Sequence, residues 1–170
     1  MKQKAKELGL NLNLLKTINL MGKGGKENII KTILSKSWKR KETKRGKGIG
    51  SIHDFVNTIL SLKLEIKKQE DLQWFDPGKY DGLTDEEKEI LMLFIVLNKQ
   101  RKVPDACFVV KTGDFIESTF SKEQLKDSRE YKTKYPKTQI KHGVHMRKWF
   151  KENRDKTNVL YIRNADINNV

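Results

Sequence analysis

The stretch SIHDFVNTILSLKLEIKKQ at positions 51–69 is compatible with two secondary structures, and the choice between them decides the fold. In its second half, aliphatic and polar residues alternate: Leu60, Leu62, Leu64 and Ile66 against Ser61, Lys63, Glu65 and Lys67. A period of two places the aliphatic residues on one face of a strand and the polar residues on the other. On a helix, residues that step by two would wind around the axis. The alternation therefore favours a hairpin of two strands, with a turn at Asn57 and Thr58.

The first half of the stretch keeps a helical alternative open. Ser51 would be an N-cap, and Ile52, Phe55, Val56 and Ile59 fit a helical stripe. In that case Glu65 is an ordinary surface residue, and the chain is a non-catalytic, basic nucleic-acid-binding protein. A basic RNA-binding protein is a third alternative, although clustered aromatic residues for stacking on bases are scarce. The secondary structure of residues 54–68 discriminates between a helical binding protein and a hairpin.

A hairpin could form a catalytic site, because Glu65 and Lys67 would share a strand face and Asp54 would precede them on the partner strand. Carboxylates supply the oxygen ligands that Mg²⁺ prefers. A metal ion bound there can polarise a phosphoryl oxygen and lower the pKa of an attacking water. A neighbouring lysine can neutralise the charge that develops on the phosphorus centre. The tripeptide Glu-x-Lys alone indicates only a solvated strand, because the chain has 36 Lys and Arg and 22 Asp and Glu.

The order of elements over residues 22–116 resembles the core of the PD-(D/E)XK nuclease superfamily, the fold of many type II restriction endonucleases. Members have a first helix that often carries a glutamate, a hairpin bearing Asp and (Asp/Glu)-x-Lys, then a helix and another strand. Asp54, Glu65 and Lys67 match the central motif, with His53 in place of the motif's proline. The resemblance implies an α/β fold, with a small mixed central sheet flanked by helices.

The resemblance also implies a role for each site residue. Asp54 and Glu65 would bind Mg²⁺, and Lys67 would assist the attacking water. Glu27, at the start of the first helix, would bind a second ion or its water, and Gln69 would support the site. The implied activity is Mg²⁺-dependent hydrolysis of phosphodiester bonds in double-stranded DNA by a homodimer with two-fold symmetry.

Helical periodicity and capping predict elements on both sides of the hairpin. Residues 26–41 predict an amphipathic helix. Residues 84–99 predict a long buried helix, because Thr84 and Glu87 form a capping box and the segment after them is apolar nearly all round. The remaining predictions are strands at 106–110 and 158–163, a return strand from residue 115, and helices at 122–131 and 144–153.

The charge distribution predicts a polyanionic partner. The net charge of the 170 residues is +14, of which residues 1–50 carry +11, residues 51–105 carry −3 and residues 106–170 carry +6. We expect one domain, with a basic N-terminal region at 1–50 and a basic C-terminal region at 117–170. The predicted DNA-binding residues are Lys44, Arg45, Lys47, Lys141, His142, Arg147 and Lys148.

Cysteine content and hydropathy exclude other classes of protein. The single cysteine, Cys107, excludes an internal disulfide and a multi-cysteine zinc site, and it is typical of a reducing compartment. No run approaches the roughly 18 apolar residues that span a bilayer. The basic N-terminal segment is interrupted by Asn and Lys, so no secretory signal is expected. We expect a cytoplasmic protein without a membrane partner.

An aromatic loop follows the predicted hairpin. Trp74, Phe75 and Tyr80 surround the turn sequence Asp76-Pro77-Gly78. Residues of this kind most often close the edge of a core, and contact with bases or sugars is the alternative.

Overall fold

The fold is taken from a computed structural model. It describes residues 7, 38–40, 55–69, 74–97, 104–135, 140–156 and 160–163. For residues 40, 65–69, 95–97, 104–107, 147 and 160–163 the description covers the backbone alone.

The described elements alternate between strands and short helices. In chain order they are β1 (Trp38–Arg40), β2 (Phe55–Asn57), β3 (Leu62–Gln69), β4 (Trp74–Phe75), α1 (Asp85–Lys88), β5 (Leu91–Leu97), β6 (Pro104–Lys111), α2 (Thr112–Thr119), α3 (Lys122–Lys134), β7 (Val144–His145), α4 (Met146–Asn153) and β8 (Leu160–Arg163). None of the helices in this part of the chain is long and apolar enough to cross a membrane.

Six of these strands form a mixed sheet in the order β1-β2-β3-β5-β6-β8. Strands β3 and β5 run parallel, and every other neighbouring pair in the sheet is antiparallel. Strands β4 and β7 form a separate two-stranded antiparallel ribbon. The mixed α/β class predicted from the sequence is therefore confirmed.

The β2–β3 hairpin confirms the strand prediction for residues 55–69, so the helical alternative is wrong there. Phe55 pairs with Leu64, and Asn57 pairs with Leu62. The turn comes later than predicted, at residues 58–61, because the buried Asn57 side chain accepts hydrogen bonds from the backbone N–H groups of Ile59 and Leu60, both at 3.1 Å. Ser61 has a φ of 51°, so it belongs to the turn and not to the polar strand face.

The predicted helix at residues 84–99 is wrong beyond its first turn. The capping box is present, since Glu87 N donates to Thr84 Oγ1 at 3.2 Å and Thr84 N donates to Glu87 Oε2 at 2.9 Å. Helix α1 nevertheless ends at Lys88, and Leu91–Leu97 forms strand β5. An unbroken apolar run suits a strand buried on both faces as well as a buried helix. Pairing with β3 and β6 on its two sides makes this run a strand.

The predicted return strand at residues 115–116 is also wrong, because Thr112–Thr119 forms helix α2. Thr112 fixes the start of the helix: its backbone N–H and its hydroxyl both donate to the carbonyl oxygen of Ile90 at 2.8 Å. The next residue, Gly113, lies in close contact with Lys88, since a Cβ at position 113 would lie 2.8 Å from Lys88 Cβ. Helix α2 therefore begins directly at the end of β6.

The other predicted elements that fall on described residues are confirmed with shifted ends: β6, α3, α4 and β8. Most of the predicted helix at 26–41 lies outside the described residues. Its end is wrong, because Trp38–Arg40 forms β1 and pairs with β2.

Each face of the sheet has buried side chains. Met92 and Phe94 belong to a core cluster with aromatic residues of α2, α4 and β4, and neither has an exposed surface. Rings of this cluster pack closely, as Phe108 stacks on Phe150 with centroids 3.9 Å apart. On the other face, Leu64 and Leu93 are fully buried. Burial of one such side chain contributes about 1.5–3 kcal/mol to folding.

Candidate active site

The register of β3 places Glu65 and Lys67 on one face of the sheet. Glu65 is in register with Met92 of β5, and Lys67 is in register with Phe94. Because paired residues of neighbouring strands share a face, Glu65 and Lys67 lie on the face that carries the aromatic cluster. Gln69, in register with Val96, is the next residue on that face and the last of β3.

The same face carries Lys63, nearer to the turn. Lys63 pairs with Val56 of β2 across the hairpin. Its ammonium group forms an ion pair with Glu86 of α1. Helix α1 therefore lies beside the turn end of the hairpin. Glu65, Lys67 and Gln69 occupy the half of β3 that leads away from the turn.

Strand β2 begins at the side of that half of β3 and runs towards the turn, because the hairpin is antiparallel. Its first residue, Phe55, pairs with Leu64, and Glu65 follows Leu64 in the sequence. Asp54 immediately precedes Phe55 and lies outside the described residues.

Several other predicted site residues also lie outside the described residues: Glu27, Lys44, Arg45 and Lys47. Arg147 is placed in α4 by its backbone. Among the side chains that the structure describes, no three from His, Cys, Asp and Glu form a group that could hold a metal ion. The roles assigned to Asp54, Glu65, Lys67, Glu27 and Gln69 therefore remain predictions.

Two of the predicted DNA-binding residues, Lys141 and His142, contact a common carboxylate. Lys141 Nζ lies 2.8 Å from Asp127 Oδ1, and His142 Nε2 lies 2.6 Å from Asp127 Oδ2. The Ser128 hydroxyl donates to the carbonyl oxygen of Lys141 at 2.8 Å. These bonds fix residues 141–142 against α3. The sequence carried no local signal for the role of Asp127, which is 14 and 15 residues away from its two partners.

Helix α4 has a buried side and an exposed side. Trp149 and Phe150 are buried, and the Trp149 indole N–H donates to Thr119 Oγ1 at 2.9 Å. Lys148 lies on the outer side, with its side chain 74% exposed. An exposed cation on a firmly packed helix is suited to contact with a phosphate backbone.

The chain matches no protein-family model, no curated protein and no solved structure.

The chemistry available to the β2–β3 hairpin follows from its residue types and register. A strand face with an acidic and a basic residue two positions apart can hold a cation and a developing negative charge side by side.

The Asp127 contacts lead to a pH prediction. Hydrogen bonds from Lys141 and then from His142 hold the pKa of the Asp127 carboxyl below its ordinary value of 3.8. A lowered carboxyl pKa in the folded state stabilises the fold above the unfolded value, and this stabilisation is lost as the pH falls through the folded pKa. We therefore expect Asp127→Asn to lower the urea midpoint near pH 7, and we expect this difference to vanish near pH 2.

Urea unfolding of both proteins across that pH range provides the measurement. Glu152→Gln, which removes a carboxylate 3.9 Å from Lys148, is the matched control with a smaller expected effect. A difference between parent and Asp127→Asn that stays constant down to pH 2 would show that the Asp127 charge does not stabilise residues 141–142.

Proposed function

We propose that this protein is a Mg²⁺-dependent DNA endonuclease with a restriction-endonuclease-like fold. The observation that carries the proposal is the register of the β2–β3 hairpin. Phe55 pairs with Leu64, so continuation of the ladder by one residue would set Asp54 opposite Glu65. Directly opposed residues have Cβ atoms about 4.5–5.5 Å apart, which allows two carboxylates to share one ion.

The donor set that this register would assemble suits Mg²⁺. Two carboxylates are hard oxygen ligands, and they leave the other coordination positions to water and phosphate. When bound, the ion polarises a phosphoryl oxygen and lowers the pKa of a coordinated water. Asp54 and Glu65 would hold it, and Glu27 would hold a second ion or its water.

Lys67 would act next to the carboxylates. It is two residues beyond Glu65 on the same face, about 7 Å further along the strand. From there its ammonium group can position the attacking water and neutralise charge on the phosphorane as the phosphodiester bond breaks. Gln69, one strand period further, would support this arrangement with a neutral polar group.

The order of the described elements supports the proposal. The hairpin is followed by the short strand β4, by helix α1 and then by β5, which lies beside β3 and parallel to it. The nuclease resemblance implies a helix and then a strand after the Glu-x-Lys motif, and a helix followed by a strand is consistent with that order. The residues first matched to that helix, 84–99, form the one-turn helix α1 and strand β5, and the residues matched to that strand, 106–110, belong to β6.

The charge distribution favours DNA as the substrate. The two flanks of the chain are basic, and the middle segment that holds the candidate carboxylates has a net charge of −3. The flanks would bind phosphates, with Lys44, Arg45 and Lys47 on one side and Lys141, His142, Arg147 and Lys148 on the other. A cytoplasmic homodimer would cut both strands of a duplex through its two-fold symmetry.

Incubation of the purified protein with supercoiled plasmid tests the proposal. We expect Mg²⁺ to support conversion of the plasmid to nicked and linear forms, and we expect a chelator to abolish it. Glu65→Ala, purified in parallel, should be inactive, which excludes a contaminating nuclease. If the protein binds the plasmid and leaves it intact with Mg²⁺, it is a non-catalytic nucleic-acid-binding protein.

A further inference from the structure

The β4–β7 ribbon carries an exposed tryptophan that the proposed chemistry does not use. Trp74 pairs with His145, and their rings meet edge to face with centroids 5.5 Å apart. The other pair in the ribbon, Phe75 and Val144, belongs to the core or packs against it. The ribbon therefore has one core face and one outer face. Trp74, on the outer face, is 55% exposed, whereas Trp38 and Trp149 are each 5% exposed.

A second aromatic pair lies at the end of α3. The rings of Tyr131 and Tyr135 are 5.0 Å apart, and Tyr135 is 42% exposed. Each ring has an ammonium group beside it: Lys141 Nζ is 5.6 Å from the Tyr131 centroid, and Lys134 Nζ is 5.3 Å from the Tyr135 centroid. Tyr135 thus presents flat apolar surface beside the Lys134 ammonium group, and the Lys141 ammonium group beside Tyr131 is also paired with Asp127.

A short, firmly held segment connects the two pairs. Lys141 and His145 are four residues apart, so their Cα atoms are at most about 14 Å from each other. Asp127 ties the start of the segment to α3 through Lys141 and His142. Gly143 lies against β4, where an added Cβ would come within 3.3 Å of the Phe75 carbonyl oxygen. The spacing of the two aromatic pairs is therefore fixed by contacts on both sides.

We propose that Trp74, His145, Tyr131, Tyr135, Lys134 and Lys141 form a binding surface for the unpaired bases of single-stranded DNA. Bases stack on exposed aromatic rings whatever their identity, and adjacent lysines contact the phosphates between them. A duplex is a poorer ligand because its base faces are already stacked. This surface lies outside the β2–β3 hairpin, and its binding requires no cleavage.

Tryptophan fluorescence tests the surface directly, because Trp74 is the exposed one of the three tryptophans. The protein is titrated in chelator with oligo(dT) of about twelve nucleotides, within the range of known single-strand site sizes. We expect quenching by the single strand and much weaker quenching by a duplex of equal length. With a labelled oligonucleotide, Trp74→Ala and Tyr135→Ala should each lower the affinity roughly 5- to 150-fold.

Matched variants separate stacking from other effects. Trp74→Phe keeps an aromatic ring and should retain most of the affinity, which distinguishes stacking from a defect in folding. Ile59→Ala removes an exposed apolar side chain on the β2–β3 turn and should bind like the parent. If the single strand binds without quenching, or if both alanine variants bind like the parent, the proposal is wrong.

The measurement also separates this surface from the proposed nuclease. Glu65→Ala, which should not cleave, is expected to bind the single strand like the parent. A parent protein that binds oligo(dT) through Trp74 and leaves plasmid intact would overturn the nuclease and support the binding surface. A parent protein that cleaves plasmid, and whose affinity for oligo(dT) does not depend on Trp74, would support the nuclease and overturn the binding surface.

Discussion

Replacement of Lys67 by alanine is expected to lower the rate of Mg²⁺-dependent DNA cleavage roughly 100- to 1,000-fold. We propose that the Lys67 ammonium group acts mainly in the transition state, where negative charge accumulates on the phosphorane. Its removal should therefore reduce the rate of the chemical step and leave DNA affinity almost unchanged, because one charge is a small part of a net +14. Single-turnover cleavage and equilibrium binding, measured on the same variant, separate the two effects.

Lys63→Ala is the matched control for this variant. Lys63 lies on the same strand and the same face as Lys67, so the loss of charge and side-chain type is identical. Its ammonium group forms an ion pair with Glu86 of α1, on the turn side of Glu65, whereas Lys67 lies on the other side of Glu65. Its replacement should change the cleavage rate by no more than a few-fold. Equal losses in the two variants would show that general positive charge on β3 matters and that Lys67 has no specific catalytic role.

The hairpin that carries these residues was predictable from the sequence because its signal is local. A period of two over residues 62–67 is a direct consequence of strand geometry, and no distant contact is needed to detect it. The exact turn was less predictable. It depends on the buried Asn57 side chain, which accepts two backbone hydrogen bonds and moves the turn to residues 58–61.

Strand β5 shows that the local sequence pattern is not always sufficient to predict secondary structure. The capping box of Thr84 and Glu87 correctly located a helix start. The length of that helix was wrong, because the apolar run that follows has no period to distinguish helix from strand. Its structure is decided by backbone pairing with β3 and β6, which lie outside the apolar run itself.

The sequence supplies the candidate site only as residue types in a given order, so the site stays a prediction, and the contacts around other predicted residues depend on packing. Asp54, Glu65 and Lys67 follow from the motif; the structure places the backbones of Glu65 and Lys67 on one face of β3, and Asp54 lies outside the described residues. Lys141 and His142 both contact Asp127, a residue to which the sequence pattern assigns no role. Such a contact arises from the packing of the 140–145 segment on α3, and no spacing rule in the sequence encodes it.

The second large effect that we expect is a loss of stability when Phe115, in the core that packs on the sheet, is replaced. Phe115 of α2 has no exposed surface, and its ring centroid lies 4.7 Å from that of Phe75, 5.2 Å from that of Phe94 and 4.8 Å from that of Trp149. Phe115→Ala would leave a cavity among three large rings. We expect it to lower the free energy of unfolding by about 3–5 kcal/mol, measured by urea denaturation.

A substitution at the neighbouring residue, Ile116, tests the secondary structure of this segment as well as its packing. Ile116 is 2% exposed, so two consecutive side chains face the same core, which a helix permits and a half-buried strand does not. Ile116→Ala should therefore also cost about 2–5 kcal/mol. Ile59→Ala, at a position 79% exposed on the β2–β3 turn, should change the stability by less than about 0.5 kcal/mol. If Phe115→Ala is costly and Ile116→Ala is as mild as Ile59→Ala, residues 115 and 116 lie on opposite faces, as the return strand predicted from the sequence would require.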